Sequence, residues 1–180
     1  MQPIALTTVV LSALLLALPA GAAVESTTEN GFSVKETVHL AAPASRVYAA
    51  IIQPAKWWNP EHTFSKSAAN LTLDARAGGC FCEKSPDGGS YQHLVVVKVS
   101  PGKALTLRGA LGPFQSQGVD AALSWVLTPA GDQTDLVLTY NMGGYLALPG
   151  GFDKWSKGAD AMLAEQVARL QKFVEGAGTK

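Results

Sequence analysis

The 180-residue sequence has no excess of charge of either sign: 14 Lys and Arg balance 14 Asp and Glu, and only 16% of residues are charged. Without a basic field nothing holds a phosphate backbone, so nucleic acid is not an expected partner, and no acidic field exists to steer a cation. Cysteine is scarce at two residues, which excludes a small domain stapled by several disulfides. No G-x-S-x-G, H-E-x-x-H, Walker or dinucleotide fingerprint occurs, and the glycine pairs run from strands into hairpins rather than opening helices. Hydrolase, nucleotide-binding and dehydrogenase readings therefore lack support, and the sequence requires no cofactor. Nothing repeats at a fixed period. Apolar material is plentiful, at 47% of residues, enough for one buried core.

The first charged side chain is Glu25. Before it, Val9 to Leu18 forms an apolar run, followed by Pro19 and Ala20-Gly21-Ala22, the A-x-A pattern a signal peptidase reads. Residues 1–22 are thus expected to be a signal peptide, and the mature chain periplasmic or secreted, with no membrane contact after cleavage. The leader has no Lys or Arg, and about 20 apolar residues can span a bilayer, so a retained anchor is the rival reading. No Cys stands at the cleavage point to carry a lipid.

Residues 23–31 are short and polar and read as a flexible lead-in to a domain over 32–175, with 176–180 as a tail. Phe32, Val34, Val38 and Leu40 alternate with Ser33, Lys35, Thr37 and His39, predicting a half-buried first strand. Pro43 opens a short helix through Val47, Tyr48, Ile51 and Ile52, which Pro54 stops, and Lys56 to Pro60 reads as an aromatic turn or second short helix. Six further strands are predicted at 71–75, 79–84, 91–99, 104–108, 118–127 and 134–142, separated by Gly-, Pro- and Asp-rich turns. From Phe152 to Val174 the period becomes helical. Phe152, Trp155, Ala159, Met162, Leu163, Gln166, Val167, Leu170, Phe173 and Val174 form one stripe, with Lys154, Lys157, Asp160, Glu165, Arg169 and Lys172 opposite. A stripe this wide needs a large apolar partner, and the concave face of the sheet is the one available. The fold class is α+β, a curved seven-stranded antiparallel sheet around a long carboxy-terminal helix, with two short helices between the first and second strands.

This order resembles the helix-grip fold of the START-like and birch-pollen-allergen superfamily, also called SRPBCC. The segment from Leu40 through Pro43, Arg46, Val47 and Tyr48 to Ile51 is similar to that family's first-strand end and helix start, and Trp57-Trp58 to its tryptophan turn. Asp74 to Gly79 resembles the Gly-Gly segment of the branch named for activators of heat-shock protein 90 ATPase. The resemblance spans Phe32 to Val174. It implies a deep cavity between sheet and helix for a small hydrophobic or amphipathic molecule, with chemistry in some members only, such as polyketide cyclases.

Trp57, Trp58, Trp125, Tyr140, Met142, Tyr145, Trp155 and Met162 are the candidate ligand-binding residues, since aromatic and Met side chains with few charges suit an adaptable apolar pocket. The same residues also suit a solid core. The two tryptophans of Trp57-Trp58 are not expected to point the same way. The Gly-rich loop 143–151 is a candidate gate. Cys80-Phe81-Cys82 is the most unusual motif. On a strand both sulfurs share a face, and a two-residue turn at Asp87-Gly88 would set Cys82 opposite His93 and Cys80 opposite Val95. Cys80, Cys82 and His93 are therefore candidate metal ligands, with Glu83 on the opposite face unless a bulge turns it. Residues i and i+2 of an extended strand lie roughly 6.5–7 Å apart, so a disulfide between these cysteines requires a local kink. Metal site, disulfide and two reduced core cysteines stay open as alternatives. So does a polyketide-cyclase-like enzyme using a cavity acid or base such as Arg76, Arg108 or His93.

Overall fold

A computed structural model describes residues 23–176; the leader expected over 1–22, and the tail beyond Gly176, lie outside the described residues. The chain forms an eight-stranded, wholly antiparallel sheet: β1 (Ala23–Thr28), β2 (Gly31–Leu40), β3 (Leu71–Leu73), β4 (Cys80–Lys84), β5 (Ser90–Ser100), β6 (Ala104–Gly109), β7 (Gly118–Ala130) and β8 (Gln133–Tyr145). The spatial order is β1-β2-β8-β7-β6-β5-β4-β3, so β3 to β8 run as a meander and β2 closes on its last strand. Helix α1 (Ala44–Ile51) follows β2, and helix α2 (Gly151–Gly176) ends the chain. In place of a second short helix, 3₁₀ turns at Pro54–Lys56 and Pro60–His62 flank the tryptophan pair.

The eighth strand corrects the expected flexible segment. Residues 23–28 pair with β2, from Ala23 opposite Lys35 to Thr28 opposite Gly31. The turn between them carries its own chemistry: the Asn30 amide donates to Thr28 Oγ1 at 3.2 Å. Gly31 is required there, because a Cβ would stand 2.2 Å from the Met142 carbonyl oxygen on β8. Thr27 Oγ1 donates to Ser156 Oγ of α2 at 3.2 Å, which ties this edge strand to the helix.

The grip of α2 on the sheet follows the predicted stripe. Phe152, Ala159, Leu163, Val167, Leu170 and Val174 are buried against the sheet, while Trp155, Met162 and Phe173 are half-buried at its margins. Removing each of the larger side chains from water contributes about 1.5–3 kcal/mol. At the carboxy-terminal end Arg46 donates to the Val174 carbonyl, satisfying one of the last-turn acceptors that the helix leaves open.

Two residues break the expected polarity of this interface. Glu36 lies on the inward face of β2, between Val34 and Val38, and is 3% exposed. Asp160, expected among the solvent-facing residues of α2, turns toward it, and the two carboxyls can hydrogen-bond only while one holds a proton; without it Glu36 Oε1 and Asp160 Oδ1 have no partner. Burial, and then the neighbouring Asp160 charge, push the Glu36 carboxyl up to about 7. The folded protein thus keeps a proton on Glu36 that the unfolded chain releases above its ordinary 4.5. Stability is expected to fall as pH rises through this window, with the loss complete above about pH 7. Glu36→Gln should be about 3 kcal/mol more stable than the wild type at pH 8 and nearly equal to it at pH 4.5. Denaturant unfolding at the two pH values checks this, and a pH-independent difference would refute it.

Candidate functional site

The site begins with one extra residue. Cys80 pairs with Val95 and Phe81 with Leu94, as the turn geometry predicts, but Cys82 pairs with Gln92 and Glu83 with Tyr91. His93 is the additional residue of this bulge. It turns inward beside Leu94, and both are buried. The expected patch of Cys80, Cys82 and His93 therefore does not form: the cysteines face outward and the imidazole faces in. Opposite the bulge, β4 contracts to a Cα–Cα separation of 5.3 Å between Cys80 and Cys82, which are disulfide-bonded. That contraction is the kink such a bond requires. No group of three or more His, Cys, Asp or Glu able to hold a metal is found among the described residues.

Once inside, His93 meets Glu83, whose position on the same face as Phe81 follows from strand alternation. His93 Nε2 lies 2.9 Å from Glu83 Oε2, and Gln115 Nε2 lies 3.2 Å from His93 Nδ1. An amide nitrogen donates, so Nδ1 accepts and the ring proton sits on Nε2, donated to the carboxylate. Burial pushes the His93 pKa down, against an opposing pull from Glu83, and the ring is neutral. Burial would raise the Glu83 pKa, but hydrogen bonds from Ser65, His93 and the Phe64 amide outweigh it and hold the carboxyl below its usual value.

Glu83 also fixes the segment that follows the tryptophans. Its two oxygens accept the backbone amides of Phe64, at 3.1 Å, and of Ser65. From the other side α2 holds the same segment: Gln166 Oε1 accepts the Asn59 amide at 2.8 Å, Glu165 Oε2 lies 3.0 Å from His62 Nε2, and Arg169 Nε donates to the Trp57 carbonyl at 2.8 Å. Phe64 stacks on His93, with ring centroids 5.7 Å apart and planes 9° from parallel.

Between this segment, the 3₁₀ turn Gly112–Ser116 and α2 lies a cavity of 460 Å³. Its wall is mostly apolar: Trp58, Leu71, Phe81, Leu111, Phe114, Tyr140, Trp155, Ala159 and Met162, with His93 set among them. Glu61, His62 and Lys66 supply the polar side at the solvent-exposed rim. Gly158 leaves the helix wall bare, since a Cβ there would meet nothing within 4 Å.

Of the eight candidate ligand-binding residues, the structure brings Trp58, Tyr140, Trp155 and Met162 to this cavity. Trp57 and Trp125 lie behind it, edge to face at 6.2 Å around a void of only 20 Å³. The two tryptophans of the pair point different ways, Trp58 to the cavity and Trp57 behind it, and both are buried because each indole N–H finds a carbonyl: Trp57 donates to Ala50 and Trp58 to His62. Met142 is buried core, and Tyr145 is 75% exposed at the end of β8. The loop expected to gate the cavity does not line it; residues 61–64, Lys66 and 112–114 do. His39 and His62 pair with Asp135 and Glu165. Arg76 and Arg108 are exposed and paired with Asp74 and Asp120, outside the cavity. Phe64, Phe81 and Phe114 were not anticipated. The available signal was an apolar residue inside a turn, as in Leu111-Gly112-Pro113-Phe114, where only burial against a neighbouring wall accounts for it.

If Glu83 holds the rim, Glu83→Ala should lower stability by about 3–5 kcal/mol, since two backbone amides and the His93 N–H lose a buried acceptor together. Glu83→Gln keeps one acceptor oxygen and should fold. Its Phe64 and Ser65 amides are expected to exchange with solvent at least tenfold faster than in the wild type, measured by NMR. Unchanged exchange at both would show that the rim is held by other contacts.

Comparison with known proteins agrees with the fold. The chain resembles solved structures including protein CV1439 from Chromobacterium violaceum, at 21% identity over 79% of this chain and 96% of that one, with a TM-score of 0.57. CalU16 from Micromonospora echinospora matches at 15% identity over 88% and 86%, with a TM-score of 0.56. A protein from Rhizobium leguminosarum matches at 18% identity over 79% and 93%, with a TM-score of 0.57. At these identities the likeness is one of fold. No curated protein matches the chain. The family described as polyketide cyclase/dehydrase and lipid transport matches residues 31–175, nearly all of the described structure, and the chain belongs to that family.

Proposed function

We propose that this protein binds a small amphipathic molecule in the cavity beneath α2, with the ligand's apolar body between Trp58, Phe114 and Tyr140 and its polar end at the rim of Glu61, His62 and Lys66. The 460 Å³ cavity carries the reading: it falls within the size range of small-molecule sites, and its wall is aromatic and aliphatic. We further propose that binding takes place outside the cytoplasm. The leader read over residues 1–22 supports this, as does the Cys80–Cys82 bond, which persists in oxidising compartments. An exported chain is separated from the cytosolic chaperone after which the resembling branch is named.

The bare helix position gives a direct test. Gly158→Phe places a ring at the cavity without a backbone clash and replaces glycine in a helix interior, so the variant should be at least as stable as the wild type. Native mass spectrometry and organic extraction of protein recovered from its host should find a small apolar molecule on the wild type and at least a tenfold lower occupancy on Gly158→Phe. Equal occupancy, or an empty wild type, would refute the proposal.

A second reading, proton-transfer chemistry in the same cavity, is favoured by a specific observation: a neutral imidazole stands in the wall with its tautomer set by Glu83 and Gln115. A general base needs an uncharged, oriented imidazole, and under this reading a substrate displaces the Gln115 amide, which also donates to the Gln92 carbonyl, to reach the Nδ1 lone pair. Under this reading His93→Gln retains ligand binding but loses about 10²–10⁴-fold in conversion of a poly-β-ketone, followed by absorbance of the cyclised product. Unaltered conversion by the variant removes the reading.

A further inference from the structure

The outer face of β4 carries chemistry that the cavity does not use. Cys80 and Cys82 are the only two cysteines of the sequence, and they are bonded to each other. Both are half-buried on the face opposite to the one that Phe81 and Glu83 present to the interior. That face is open to solvent. Thr72 of β3, paired with Cys82, is exposed, and Val97 of β5 and Val126 of β7 are 49% and 47% exposed. Strand β3, the cover on the edge side, is only three residues long and ends the sheet. A disulfide is exchanged when a thiolate reaches one of its sulfurs, so an outward bond near a short edge strand meets the first requirement.

The bond adds little to the stability of the fold. Cysteines separated by two positions close a loop so short that joining them removes little freedom from the unfolded chain. Strand pairing already fixes the same residues: Cys80 lies opposite Val95, Cys82 opposite Thr72, and the Asp74 amide donates to the Cys80 carbonyl at 3.0 Å. The effect of the bond on geometry is larger. It holds the two Cα atoms 5.3 Å apart, where an extended strand sets them roughly 6.5–7 Å apart. Opening it therefore lets β4 lengthen by about 1–1.5 Å immediately before Glu83. The Glu83 carboxylate accepts the Phe64 amide at 3.1 Å, and also the Ser65 amide. An N–H···O bond stretched by about 1 Å is lost. The state of two sulfurs on the outer face is thus geared to the rim of the cavity on the inner one.

We propose that the Cys80–Cys82 bond is a thiol–disulfide exchange site for a dithiol, and that its state decides whether Glu83 holds the cavity rim. A thiolate of the dithiol attacks one cysteine sulfur, the S–S bond breaks, and the other cysteine leaves as a thiolate and takes a proton. The second thiol of the dithiol then resolves the mixed disulfide. Two electrons and two protons pass to the cysteines, and the dithiol ends as a disulfide. The test exposes the folded protein, without denaturant, to dithiothreitol and in parallel to reduced thioredoxin. Two thiols should become titratable in each folded molecule while its circular dichroism keeps the native form. Reduction by both reagents admits a protein as the donor, and reduction by dithiothreitol alone restricts the donor to small dithiols. In the reduced protein the Phe64 and Ser65 amides should exchange with solvent about tenfold faster than in the oxidised one, with Leu163 and Val167 of α2 unchanged. The double variant Cys80→Ser, Cys82→Ser should show the same fast rim with no reductant present. A bond that resists both reagents overturns the exchange site, and rim exchange unaltered by reduction overturns its link to Glu83. Unfolding on reduction would make the bond a structural one and overturn both.

Discussion

A carboxylate buried behind the cavity wall holds three otherwise separate parts of this molecule in register. Glu83 accepts the amides of Phe64 and Ser65, which fixes the rim, and the His93 N–H, which fixes the bulged strand. Its own strand, β4, also carries the Cys80–Cys82 bond on the reverse face. An ionised group this deeply buried persists only with several donors directed at it. The donors come from segments distant in sequence, so rim, bulge and outer face form together.

The grip of α2 has a different character. Leucine, valine and phenylalanine along its stripe are non-directional and set only how closely the helix lies on the sheet. Direction comes from Gln166, Glu165 and Arg169, which bind the backbone or side chains of the tryptophan segment, and from Arg46 at the helix end. Against these, Glu36 works to separate helix and strand once it loses its proton beside Asp160. The cavity thus sits under a helix attached firmly along the tryptophan side and conditionally along β2.

Much of the fold was legible because hydrophobic period reports it directly. The alternation through β7 and β8, the stripe of α2 and the turn residues between strands placed every element of the meander and the helix that lies on it. The resemblance carried by Pro43, Arg46 and Trp57-Trp58 pointed to the family that matches residues 31–175. Strand β1 escaped because its residues are mostly polar, as an edge strand's are, and its partner is identified only by the Asn30-Gly31 turn. Glu36 escaped because a single carboxylate in an apolar alternation looks like an interruption of the pattern. The site was legible in half: aromatic character selected Trp58, Tyr140, Trp155 and Met162, but it cannot distinguish a cavity wall from the packed layer behind it, where Trp57 and Trp125 lie. The His93 inversion depends on a one-residue bulge, and strand pairing by turn arithmetic assumes an unbroken register.

Strand β1 bears on the order of events in the life of the chain. Its first described residue, Ala23, is paired with Lys35 of the neighbouring strand. Proteases cut exposed, loosely held chain, and a bond flanked directly by sheet does not offer it. Under the proposed export, a cut after Ala22 would have to precede closure of the β1–β2 hairpin.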